Sequence, residues 1–77
     1  MTDVVLLEHY IDQSGYRLDF IAKKMGLSYQ GLRNKMTGKS EFKTREVSIL
    51  CNLLGLTSEV RDKIFFAQNV DFESTSA

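Results

Sequence analysis

The chain has 77 residues, with ten Lys and Arg against ten Asp and Glu, 43% hydrophobic residues, one cysteine, one histidine and no proline. That length holds one small domain with a modest core, and the supply of Leu, Ile, Val and Phe excludes a disordered chain. The lone Cys51 excludes an internal disulfide, Cys51 and His9 together are too few for an ordinary zinc site, and no apolar run approaches the roughly 20 residues that cross a bilayer.

Residues 3–14 predict a first helix. Val4, Leu7 and Ile11 share one stripe, widened by Leu6 and Tyr10, and Glu8, His9 and Asp12 lie opposite. His9 reads as a solvated surface residue. Gly15 stops this helix, as Gly26, Gly38 and Gly55 stop later ones, because glycine accepts the left-handed conformation just past a helix end. A second helix is expected over residues 17–25, with Leu18, Ile21, Ala22 and Met25 at i, i+3, i+4 and i+7. Asp19 suits its positive N-terminal end, and Arg17 is a poor N-cap. Phe20 falls off the apolar stripe, so it either packs beyond a two-layer core or stays partly exposed.

Leu27 plugs the corner after Gly26, and Ser28 caps a third helix expected over residues 29–37. Leu32 and Met36 are its inward pair, while Gln30, Arg33, Asn34 and Thr37 point away. Tyr29 sits at the rim. Gly31 costs about 1 kcal/mol of helix stability relative to alanine; it either permits close approach of another surface or is a tolerated defect. Phe42 anchors a basic loop between Lys39 and Lys43. A fourth helix is expected over residues 44–54, with Val47, Leu50, Cys51 and Leu54 as its main stripe and Ile49 and Leu53 extending it, which places it centrally and makes Cys51 a small buried apolar residue. Thr57 or Ser58 caps a fifth helix over residues 58–68, with Val60, Ile64 and Ala67 facing one way. Phe65 and Phe66 are adjacent and cannot share a stripe, so one of them should meet the tail or a second subunit, as should Val70 and Phe72. Residues 1–70 then form the domain and 71–77 a flexible tail.

The neutral total conceals a split. Residues 1–16 hold three acids and no Lys or Arg; residues 17–45 hold eight basic side chains against Asp19 and Glu41, a surplus of six positive charges; residues 46–77 hold Arg61 and Lys63 against five acids. A local positive field matters more to a polyanion than the sum over the molecule.

The second and third helices, joined by a turn of three or four residues, have the spacing of a helix-turn-helix. Small Ala22 allows the third helix to cross the second closely, and the outward face of the third helix has a width that fits the major groove of B-DNA, about 12 Å. The run "LDFIAKKMGLSYQGLRNKMTGKSEF", residues 18–42, resembles the helix-turn-helix domains of phage Cro and repressor proteins, the Xre-like superfamily, and is similar to short phage or prophage regulators of low-GC Gram-positive bacteria. The resemblance covers nearly the whole chain. It implies a compact all-α, five-helix bundle of the lambda-repressor-like type, with a recognition helix at residues 29–37 that carries Ser28 as cap and Tyr29, Gln30, Arg33 and Asn34 toward the bases. The chain departs from the family at Arg17, where many members have Gln, Ser or Thr, and at Gly31, where many have Ser or Thr.

The chemistry of these positions agrees with that resemblance. Gln pairs with adenine and Arg with guanine through two hydrogen bonds each. Asn34 is placed to read a neighbouring base or a phosphate, and Tyr29 either touches a thymine methyl or sugar or supports the core as a rim aromatic. Arg17, Ser28, Lys39 and Lys43 would hold phosphates and set the register. The expected partners are double-stranded DNA and a second copy of the chain, through Phe65, Phe66, Val70 and Phe72, on a two-fold symmetric operator. The competing expectation is a protein-interaction module on the same scaffold, an antirepressor or adaptor, which the zero net charge and the acidic ends favour. One histidine, one cysteine and scattered carboxylates make no nucleophile–base pair, so no enzyme, cofactor or metal is expected. The acidic start, Met1-Thr2-Asp3, argues against a secretory leader and for a cytoplasmic protein.

Overall fold

A computed structural model describes residues 2–66. Those residues form five helices and, among them, no strand: α1 Val4–Ser14, α2 Leu18–Lys24, α3 Tyr29–Met36, α4 Thr44–Leu54 and α5 Ser58–Phe65. None is long and apolar enough to cross a membrane.

Short helices need specific ends, since an isolated helix of this length is marginal in water. The Asp3 carboxylate accepts the Leu6 N–H at 3.1 Å and caps α1, so that helix begins one residue later than expected. Arg17 precedes α2 in an extended conformation with no side-chain cap, as its side chain dictates. Ser28 and Thr57 cap α3 and α5 by accepting the Gly31 and Val60 N–H groups at 2.9 and 3.2 Å. At α4 the cap comes from within the helix: the Glu46 carboxylate accepts the Lys43 N–H at 2.9 Å. α5 ends at Phe65 instead of near residue 68, because Phe66 leaves helical geometry (φ −129°, ψ 28°).

The core gathers Leu7 and Ile11 of α1, Ile21 and Ala22 of α2, Leu32 and Met36 of α3, Leu50 of α4, and Ile64 and Phe65 of α5. α2 packs on α3, and α1 packs on α4 and α5. The Asp3 N–H donates to the Ile64 carbonyl at 2.6 Å and ties the start of α1 to the end of α5. Phe42 anchors its loop as expected, edge-on to Phe65 with ring centroids 5.4 Å apart.

Two expectations need correction. Phe65 is core rather than interface, only 6% exposed, which leaves Phe66 as the exposed member of the pair at 43%. Cys51 is half-buried rather than buried; it lines a groove with Val47, Arg61 and Phe66, and burial pushes its thiol pKa up. The α4 stripe is wider than the space inside, so Leu50 takes the centre and Cys51 the edge. Val70 and Phe72 lie outside the described residues. Because Leu50 is fully buried, Leu50→Ala should lower the unfolding free energy by about 2–5 kcal/mol in urea titrations; a loss under about 0.5 kcal/mol would mean that the α4 packing described here is wrong.

Candidate nucleic-acid interface

The corner between α2 and α3 is built from the backbone outward. Gly26 has φ +75°, a conformation that costs a side chain-bearing residue. That turn lets the Leu27 N–H reach the Ala22 carbonyl at 2.8 Å and the Gly26 N–H reach Lys23 at 3.1 Å, the paired bonds of a Schellman end. Leu27 folds back against the core, and Ser28 starts α3 directly. Gly38, φ +88°, repeats the device at the other end of α3: the Lys39 N–H donates to the Asn34 carbonyl at 2.8 Å.

α3 turns about 100° per residue, so its inner side is set by Leu32 and Met36, at 0% and 1% exposure. Lys35 flanks that inner side. Gln30, Asn34 and Thr37 then fall on the crest, and Arg33 on one shoulder. Gln30 is exposed, Asn34 and Arg33 half-exposed. On the crest the Gln30 Nε2 donates to the Asn34 Oδ1 at 3.0 Å. Tyr29 is 51% exposed, which suits a rim position. At Gly31 an added Cβ would lie 3.1 Å from the Ser28 Oγ, so a side chain there would crowd the cap of α3.

The proposed phosphate residues are exposed, but they are not one cluster. Ser28 and Lys39 bracket α3. Lys43 stands at the start of α4, and Arg17 at the start of α2, where its Nε lies 3.5 Å from the Asp19 carboxylate. The charge surplus of residues 17–45 also needs correction. Lys35 faces inward and pairs with Glu46 at 3.0 Å, each side chain about a tenth exposed, and its ammonium donates to the Glu41 carbonyl at 3.0 Å. Glu46 lies just past the window in sequence but inside it in space, so one of the eight cations adds nothing to the outer field.

Two features escaped the sequence. One is this ion pair. The other is an exposed aromatic pair at the α1–α2 turn, Tyr16 against Phe20 with centroids 5.1 Å apart, with the Lys24 ammonium 5.5 Å from the Phe20 ring. The i, i+4 spacing of Tyr16, Phe20 and Lys24 was the available signal. No protein-family model, curated protein or solved structure matches the chain.

Burial raises the Glu46 pKa, but the Lys43 N–H, the Lys35 hydrogen bond and the charges of both lysines outweigh it, and the carboxyl sits below its ordinary value of 4.5. A folded pKa below the unfolded one means stability that is present above the unfolded value and lost as pH falls through the folded value. Glu46→Gln is therefore expected to lower stability at neutral pH by about 3 kcal/mol, the low end for stranding one member of a buried pair because Lys35 keeps the Glu41 carbonyl. The same variant should show a shallower loss of stability in acid. Urea titrations across pH check this, and identical acid profiles for variant and wild type would contradict it.

Proposed function

We propose that the chain is a sequence-specific DNA-binding regulator of the Cro/repressor type, with α2 and α3 as its helix-turn-helix and α3 as the helix that enters the major groove. The observation that carries this reading is the division of α3: Leu32 and Met36 are buried while Gln30, Asn34 and Arg33 face or flank the solvent side. A short helix pinned by its inner residues and tipped with amides and a guanidinium offers donor and acceptor groups that match base edges. Lys39 and Lys43 border it, in keeping with contacts that fix register on a duplex without reading it. The five-helix order and the tight α2–α3 corner support a lambda-repressor-like arrangement, and a phage or prophage origin follows from the same resemblance.

The regulator works as a homodimer in this reading, so that two copies of α3 meet successive major grooves about 34 Å apart. Exposed Phe66 and Val5, at 43% and 78%, lie at the end of α5 and the start of α1, which the Asp3–Ile64 hydrogen bond ties together, and they supply apolar surface for a second copy. A second reading, a protein-interaction module on the same scaffold, is favoured by the net charge of zero and by the exposed Tyr16–Phe20 pair.

Fluorescence anisotropy with labelled duplexes at several salt concentrations separates the two. Lys39→Ala should weaken all duplexes alike and reduce the salt slope by about one. Arg33→Ala should cost about 1–3 kcal/mol on the preferred sequence and relax the choice at one base pair. Binding that is absent or indifferent to salt supports the protein-interaction module; binding that neither variant alters puts the DNA on another face.

A further inference from the structure

The geometry points to a division of labour on the crest of α3: Gln30 reads a single A·T pair at its adenine, and Asn34 is the positioning residue that aims it. This rests on the DNA-binding reading above and deepens it.

The Gln30 Nε2 carries two hydrogens. One is committed to the Asn34 Oδ1 at 3.0 Å. When the hydrogen pointing away from Oε1 makes that bond, the other lies beside Oε1 and the amide presents one donor and one acceptor side by side. Adenine offers the complement in the major groove, an N7 acceptor next to an N6–H donor. Guanine offers two acceptors, which leaves Oε1 facing another oxygen. Cytosine and thymine each offer a single polar group there. A half-turn of the Gln30 amide would set Oε1 against the Asn34 Oδ1 unless Asn34 turned with it, so the two amides move as one unit.

Asn34 is suited to hold rather than to read. Its backbone is fixed by the end of α3, where its carbonyl accepts the Lys39 N–H at 2.8 Å and the Thr37 hydroxyl at 3.3 Å. Its side-chain oxygen already accepts one bond, from the Gln30 Nε2 at 3.0 Å, which keeps its amide turned toward Gln30. It stands one turn beyond Gln30 on the same face, so the bond between them orders a long, otherwise mobile side chain before DNA arrives, and ordering a group in advance lowers the cost of binding.

The test uses a panel of duplexes that differ from the preferred sequence at one base pair each. Gln30→Ala identifies the position it reads, as the one where preference vanishes. At that position the wild type should favour adenine over guanine by about tenfold, and Asn34→Ala should shrink the ratio by about twofold to threefold. Asn34→Asp keeps the acceptor oxygen and should keep the ratio, even though its charge weakens binding to every duplex. Gln30→Ala combined with Asn34→Ala should show no loss of preference beyond that of Gln30→Ala. If Asn34→Ala leaves the ratio unchanged, or alters preference at a neighbouring position instead, this inference is overturned and the DNA-binding reading stands. A wild type with no preference at any position overturns both. Circular dichroism on each variant confirms that α-helical content is retained.

Discussion

Lys35 and Glu46 meet at 3.0 Å between the last turn of α3 and the first turn of α4. Two charges with so little exposure are costly to bury, and their attraction repays that cost only when further hydrogen bonds satisfy them. Here the further bonds exist: the Lys35 ammonium takes the Glu41 carbonyl, and the Glu46 carboxylate takes the Lys43 N–H. One node thereby joins α3, the loop after it and the cap of α4. Eight residues are too few to hold a helix in place by themselves. Leu32 and Met36 supply the hydrophobic grip, but apolar contact is non-directional. The ion pair adds direction and fixes the roll of α3 about its axis, and that roll decides which side chains reach the crest.

The same node changes how the charge of the molecule is understood. A neutral protein can still show a polyanion a positive surface if its charges are sorted in space. The sorting is less complete than a count along the chain suggests. Lys35 is spent inward, and Arg17 is close to Asp19. The other six basic side chains of residues 17–45, Lys23, Lys24, Arg33, Lys39, Lys43 and Arg45, make no ion pair among the described residues.

Much of the architecture was legible because it depends on local chemistry. Glycine followed by leucine or lysine marks the Schellman ends at Gly26 and Gly38, and Ser28 announces the start of α3. The i, i+4 pair Leu32 and Met36 identifies its inner side, and α4 runs over residues 44–54 as its apolar stripe implies. The parts that were not legible depend on distance in space. Lys35 and Glu46 are eleven positions apart and both charged, so helical periodicity assigns each to solvent. Lys43 is no capping residue, which hid the cap that Glu46 provides. Phe65 and Phe66 could not be ranked from adjacency alone; the ring of Phe42 decides in favour of Phe65. At the candidate site the chain position of Gln30 and Asn34 was evident, but their hydrogen bond was not, because side-chain pairing depends on rotamers that periodicity does not set.

The central claim is that the outer side of α3 is the surface that meets a duplex. Nitrogen-resolved NMR during titration with double-stranded DNA tests it most directly. The expected result is shifts in the backbone amides of residues 28–34 and in the side-chain amides of Gln30 and Asn34, with α5 unaffected. Shifts confined to α1 or α5, or none at low salt, would contradict it.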